Sequence, residues 1–265
     1  MLKFLGRGSG FSDEHNGACF GLGSRLILLD CPLVSFIKLK NKGPEYYAGL
    51  TDGKVEEIVI AITHTHSDHI GGLALTVHYA RFVWKINVTV IAPSEEVRKD
   101  LQYELERLNG CDKDSYRLVT VEKYIRTYNT ASVDDRLDPA VLFKADNLKK
   151  SCWLKAALPT SHVPELAGRC FGYMISVDGR NVIYTGDTSS LASFIPYLSE
   201  GCVLYTECSA YDTGVHIYVD KLLEYKNMLR IKNVEVYLMH LDDIDAISDK
   251  IQDSGYRLAP LFDEE

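Results

Sequence analysis

Residues 51–72 constrain this chain more than any other stretch. The apolar run Val55-Glu56-Glu57-Ile58-Val59-Ile60-Ala61-Ile62 is short, β-branched and entered from the turn-like Thr51-Asp52-Gly53-Lys54, which predicts a buried strand. It leads directly into Thr63-His64-Thr65-His66-Ser67-Asp68-His69-Ile70-Gly71-Gly72. A strand-to-helix loop is where an α/β protein places its chemistry, and this loop carries His64, His66, Asp68 and His69, all able to bind a metal. His64 and His66 are two apart and point the same way from extended backbone. Asp68 and His69 follow where the chain turns and can face a second point nearby. Gly71 and Gly72 let the backbone turn into the next helix. A lone histidine here reads as structural; this density of ligand types reads as a metal site.

The rest of the composition is that of an ordinary globule, 46% hydrophobic and 25% charged over 265 residues, enough apolar material for a sizeable core. A formal net charge of −8 gives no broad nucleic-acid-binding surface and no pull toward anionic membrane. The seven cysteines (Cys19, Cys31, Cys111, Cys152, Cys170, Cys202, Cys208) form no C-x-x-C pair and lie mostly in apolar runs. They read as reduced, buried thiols of a cytoplasmic protein. Met1-Leu2-Lys3-Phe4-Leu5-Gly6 lacks the apolar length of a signal peptide, and no run reaches membrane-spanning length.

Along the chain, strands are expected at Leu2 to Gly6, Ala18 to Leu22 and Arg25 to Leu29, with Asp30 at the end of the third. Gly43 to Tyr47 reads as a surface excursion that roofs the pocket. Leu73, Val77 and Ala80 recur at helical spacing before a strand at Val88 to Ile91. Pro93 opens a helix whose buried stripe is Val97, Leu101, Leu105 and Leu108, stopped at Gly110. Residues 111 to 158 read as irregular strands and turns. A hairpin follows, Phe171 to Val177 and Val182 to Thr185, then a helix from Ser190 to Leu198 and a strand from Val203 to Thr206. A helix from Tyr218 to Leu229, a strand from Val234 to Met239 and a helix near Asp243 to Gln252 complete the pattern. Strands come first, α/β alternation follows, and part of that order repeats. Two sheets packed face to face with helices outside fit this best, as one domain over residues 1–265.

One loop cannot complete a metal site, so the other strand ends matter. His162 follows the strand-like Trp153 to Leu158, Asp187 follows Ile183-Tyr184-Thr185, and His240 ends Val236-Tyr237-Leu238-Met239. Taken singly, Asp187 reads equally well as a helix N-cap. His162 and His240 would carry little weight alone. With the first cluster they make seven ligand-type residues, enough for two adjacent metals. Asp30 reads either as a loop cap or as the group that orients a ligand histidine. His15 and His78 read as structural or solvent-facing.

HxHxDH, a distant histidine, a Gly-Asp after a strand and a strand-terminal histidine together resemble the signature of the metallo-β-lactamase superfamily, over nearly the whole chain. The resemblance implies an α/β fold, an αββα sandwich of two mixed sheets with helices on the outer faces. It implies a hydrolase with His64, His66 and His162 on one metal, Asp68, His69 and His240 on the other, and Asp187 bridging. Imidazole and carboxylate ligands suit two divalent ions, zinc first and manganese or iron as alternatives. Such a pair, ~3.5–4 Å apart, activates a bridging hydroxide and steadies attacking and leaving oxygens.

Phe4-Leu5-Gly6-Arg7-Gly8-Ser9-Gly10, Asn16 and Leu28-Leu29-Asp30-Cys31 are similar to the start of ribonuclease Z enzymes. Tyr205-Thr206-Glu207-Cys208 followed by Gly214-Val215-His216 looks like that branch's Glu-then-His motif. By this resemblance the catalytic groups are Asp68, His216, which protonates the leaving oxygen, and Glu207, which holds its imidazole. An alkoxide leaves phosphorus poorly without a proton, which gives this pairing its chemistry. The plainer alternative for His216 is a cap on a helix starting near Ile217. The Gly-rich basic arm with which ribonuclease Z grips tRNA has no counterpart, since residues 111–151 hold eight Lys/Arg against seven Asp/Glu. The expected substrate is therefore a small phosphodiester, such as a cyclic nucleotide, or a short RNA end. The alternatives are a hydrolase of carboxylic esters, lactones or thioesters, and a non-catalytic metal-binding interaction protein. Relatives of this kind often pair, so a homodimer is the expectation.

Overall fold

The computed structural model describes residues 1–130 and 152–263. The first half contains β1 (Lys3–Gly6), β2 (Gly17–Leu22), β3 (Arg25–Leu29), helix α1 (Leu33–Lys42), β4 (Glu57–Ala61), α2 (Ser67–Ile70) and α3 (Leu73–Tyr79). It continues with β5 (Asn87–Ala92), α4 (Glu95–Gln102), β6 (Arg117–Thr120) and α5 (Val121–Thr130). The second half contains β7 (Leu154–Pro159), β8 (Phe171–Val177), β9 (Arg180–Tyr184), β10 (Val203–Cys208), α6 (Val219–Glu224) and α7 (Lys226–Ile231). It ends with β11 (Glu235–Leu241), α8 (Ile244–Ile251) and β12 (Arg257–Leu258).

These strands make two six-stranded sheets, β1-β2-β3-β4-β5-β6 and β12-β11-β10-β9-β8-β7. Both are mixed, and in the same way. In each, the first three strands in sequence pair antiparallel and the last three add in parallel. The repeat of pattern expected from the sequence is thus a repeat of topology.

Side-chain alternation explains why the runs are continuously apolar. Ile27, Val59 and Ile91 face Tyr173, Val182, Tyr205 and Met239 in the core between the sheets. Their neighbours Leu28, Ile58 and Ile60 point to the opposite face and pack under α1, α3 and α4. On the far side Leu204, Val236 and Leu238 pack with Val219, Leu222 and Ile247 of α6 and α8. A strand covered on both faces needs apolar residues at every position. All seven cysteines are buried and unpaired, as expected.

Several expectations are corrected. The helix over Ser190 to Leu198 is only a short 3-10 turn, Ile195–Tyr197, because Pro196 can neither donate its nitrogen nor follow an α-helical turn without a clash. Leu108 is exposed: beyond Gln102 the helix widens into π-type turns, which shift the period so that Leu105 stays inside and Leu108 swings out. The helix expected at Tyr218 to Leu229 is two, divided at Tyr225. Part of the irregular stretch expected at 111–158 is helix α5, and residues 131–151 of it lie outside the described residues. Tyr47 is not a surface residue. It is buried, with its ring 5.3 Å from that of Phe262, so the excursion packs on the chain's tail instead of roofing a pocket.

Candidate metal centre

The centre lies where strand ends from both sheets meet. β4 leads into Thr63 to His69, β7 into His162, β9 into Asp187 and β10 ends on Glu207 and Cys208. His240 differs from expectation. It lies within β11, where Glu207 pairs with Met239 and Cys208 with Leu241, so His240 is the extra residue of a β-bulge. Its φ of 53° is unusual for a side-chain-bearing residue, and the bulge re-aims its ring at the site.

Two clusters that share Asp187 result, beside a third group of Glu207, His216 and His240. In the first, His64 Nε2 and His162 Nε2 lie 3.1 and 3.4 Å from His66 Nδ1, and Asp187 Oδ2 is 3.8 Å from His64 Nε2 and 3.6 Å from His162 Nε2. In the second, Asp68 Oδ2 is 3.4 Å from His69 Nε2 and 3.2 Å from His240 Nε2, while Asp187 Oδ1 is 3.3 Å from His69 Nε2. Each set could hold one ion, and Asp187 belongs to both. All seven ligand-type residues from the sequence therefore converge, whereas His15 and His78 belong to neither set.

The ring nitrogens facing away from the site are tied down. His69 Nδ1 donates to Asp30 Oδ2 at 2.9 Å, and His162 Nδ1 donates to the Val215 carbonyl at 2.9 Å. His64 Nδ1 donates at 3.0 Å to Thr63 Oγ1, which donates in turn to Asp30. Asp30 also accepts the Thr63 backbone N–H at 2.7 Å, so one buried carboxylate steadies two rings. Tethering these nitrogens turns bare lone pairs of His64, His69 and His162 inward. Thr63 was missed in the sequence because its role needs Asp30 beside it, 33 residues away.

Charge and hydrogen bonding both fit bound cations. Burial lowers the pKa of His64, His66 and His162 and keeps these rings neutral. Burial opposes the Asp68 and Asp187 carboxylates, but His240 and His69 outweigh it and hold both well below the usual range. Burial likewise opposes charge on His69 and His240, yet Asp187 and its neighbouring carboxylates raise both. The cluster thus demands positive charge at its centre. His69 Nε2 and Asp187 Oδ1, 3.3 Å apart, are buried without a hydrogen-bond partner. A buried polar atom left so is destabilising, and a divalent ion between them satisfies both.

Beside the clusters, His216 Nδ1 lies 2.5 Å from Glu207 Oε2, and Glu207 Oε1 accepts the Thr188 backbone N–H. Glu207 is wholly buried, which together with Asp187 pushes its pKa up to about 7. Burial pulls His216 down, but the hydrogen bond to Glu207 prevails and raises it to about 9. His216 therefore remains an imidazolium at neutral pH. It lines a cavity of about 610 Å³ that also contains His66, Asp68 and His162. The loop Ser9 to Phe11 and Tyr211 form part of its wall, and the sequence alone gave no sign of this. A Cβ on Gly10 would stand 2.9 Å from Asp68 Oδ2, so glycine lets that loop lie against the ligand.

Two mixed sheets flanked by helices, with two clusters of metal-ligand-type residues sharing Asp187 at one rim, define a chain of the metallo-β-lactamase fold with a site able to hold two metal ions. In fold the chain is similar to the metallo-β-lactamase fold protein YhfI from Bacillus subtilis, with a TM-score of 0.64 and 17% identity over 97% of this chain and 94% of that one. It is similar also to a diphosphatase of the PhnP family (TM-score 0.63, 16% identity, 98% and 94% covered). The short form of human tRNase Z matches too (TM-score 0.58, 17% identity, 98% and 96% covered), a likeness of fold that carries no RNA-processing role with it.

The sequence is more particular. Residues 1–258 match the family described as anti-Pycsar protein Apyc1, and the chain belongs to that family. It is 27% identical over 260 residues to the anti-Pycsar protein Apyc1 of Bacillus phage BSP38, covering 92% of this chain and 89% of the relative. It is 28% identical over 260 residues to that of Bacillus phage vB_BveM-Goe7, covering 91% and 89%. Among the described residues no helix is long and apolar enough to cross a membrane.

Proposed function

We propose that this protein is a phosphodiesterase that cleaves a small phosphodiester, such as a cyclic nucleotide, and that it serves the anti-Pycsar role its relatives are named for. The observation that carries the reading is the His216–Glu207 pair beside the clusters. Hydrolysis of an activated carboxylic ester needs no strong acid, whereas an alkoxide leaving phosphorus does. In this reading His64, His66 and His162 would hold one ion and Asp68, His69 and His240 the other, with Asp187 within reach of both sets. Two divalent cations, zinc by this nitrogen-rich donor set, would lower the pKa of water and draw off the phosphate's charge.

The chain's own groups do the rest. Asp30 and Thr63 keep His69 and His64 in the tautomers that offer bare nitrogens inward. Val215 does the same for His162. Glu207 occupies His216 Nδ1, so the proton on Nε2 is the one passed to the leaving oxygen as the P–O bond breaks. The cavity is of a size suited to a small ligand, which supports a small molecule over a folded RNA. No lysine or arginine lines it among the described residues, which fits a single phosphodiester better than a polyphosphate or an RNA backbone.

The test is turnover of 3′,5′-cyclic nucleotides, whose leaving group is an alkoxide, and of bis(p-nitrophenyl) phosphate, whose aryl oxide leaves without a proton, by zinc- or manganese-loaded protein compared with His216→Ala. Cyclic-nucleotide turnover that falls in the variant, while metal content and bis(p-nitrophenyl) phosphate turnover hold, is the expected result. Turnover of esters, lactones or thioesters alone, indifferent to His216, would replace this reading with the carboxylic one.

A further inference from the structure

Phe11 has no packing role. Its side chain is fully exposed on the loop between β1 and β2, yet it lines the same cavity as Asp68 and His216. The residue before it, Gly10, lies against Asp68, so the ring projects from backbone that touches the candidate metal site. Tyr211 lines the cavity from the loop after β10, the loop that also carries His216. Its hydroxyl donates to Asp243 Oδ2 at 3.1 Å, which fixes one edge of the ring, and 58% of the residue remains exposed.

Both loops are fastened to the end of β11 and the residue that follows it. Ser9 N–H donates to the Leu241 carbonyl at 2.9 Å, and Ala210 N–H and Ser209 Oγ donate to the Asp242 carboxylate at 2.8 and 2.5 Å. The two rings are therefore mounted on a common, hydrogen-bonded rim. Its polar groups are spent on holding the loops. With Asp242 and Asp243 there and no lysine or arginine lining the cavity among the described residues, the rim offers nothing to hold a second anionic group. What it offers a ligand is aromatic surface.

We propose that Phe11 and Tyr211 form a stacking platform for the planar base of a nucleotide, which seats the attached phosphodiester over the His/Asp clusters and its leaving oxygen toward His216. This rests on the phosphodiesterase reading and adds to it the recognition element. Stacking is strong on any flat base and absent for an aliphatic diester, so the platform selects nucleotides over sugar or glycerol phosphodiesters.

The experiment compares a 3′,5′-cyclic nucleotide with its base-free analogue, 1-O-methylribose 3′,5′-cyclic phosphate, in wild type, Phe11→Ala, Tyr211→Ala and Phe11→Trp. Affinity for a nucleoside 5′-monophosphate is measured by calorimetry on the same metal-loaded proteins. Each alanine is expected to weaken nucleotide binding and raise KM about 5- to 150-fold, to lower the preference for the base-bearing substrate, and to leave Tm unchanged. Phe11→Trp restores binding. Tyr103→Ala, an exposed aromatic outside the cavity, serves as the control and changes neither value. If the alanine variants bind the monophosphate and discriminate between the two substrates as wild type does, or if wild type does not bind the monophosphate, the platform is overturned. If wild type binds it, the variants weaken it, and no phosphodiester is cleaved, the platform stands and the phosphodiesterase reading falls.

Discussion

Asp30 never faces the cavity, yet its carboxylate governs the two rings on which the centre turns, directly for His69 and through Thr63 for His64. Its φ of 62° is tolerated by an aspartate and places it under the loop. Asp30→Asn is expected to weaken metal affinity by about 10- to 100-fold, read by competition with a chelator of known affinity. His216 makes a different prediction because it is held as an acid. Its pKa stands raised to about 9, so the proton is present at lower pH and is lost as pH rises through that value. Wild-type kcat should therefore decline on the alkaline side, and His216→Ala should lose both that limb and about 10²- to 10⁴-fold in rate at pH 7 with its metal content intact. A variant that keeps full rate would remove His216 from the chemistry.

At the scale of elements, β4 is the support from which the His64–His69 loop springs. Ile60 is fully buried under the outer helices, whereas Ile231 at the end of α7 is 82% exposed. Ile60→Ala is expected to cost about 2–5 kcal/mol in a denaturant melt, and Ile231→Ala no more than about 0.5 kcal/mol. The same contrast explains what could be read in advance. β4 was legible because both its faces are covered, leaving an unbroken apolar signal, and His64 to His69 were legible because they follow that run. Leu191, Phe194 and Leu198 recur at helical spacing and are all buried, yet they pack in irregular turns around Pro196. Periodicity reports a buried face and does not say how the backbone presents it. The bulge at His240 is a single inserted residue and leaves no mark on composition. Tyr47 and Phe262 meet only because the ends of the chain come together in space, which no local pattern carries.

Across the whole molecule, the two sheets repeat one topology, and the candidate centre draws on both. The loop from His64 to His69 follows β4 of the first sheet and Asp187 follows β9 of the second. Ions bound between them would tie the halves together, so metal removal should lower Tm, by about 2–4 °C for each kcal/mol of binding energy lost in a chain of this size. An unchanged melting curve after complete chelation would mean that the histidines and carboxylates hold no ion in the folded state. The most direct measurement is the divalent-ion content of the zinc-loaded chain after gel filtration, determined by mass spectrometry for wild type and Asp187→Ala. Two ions per wild-type chain and fewer in the variant are expected from a shared carboxylate. Wild-type protein that retains none, or a variant that still retains two, would contradict a dinuclear centre built on Asp187.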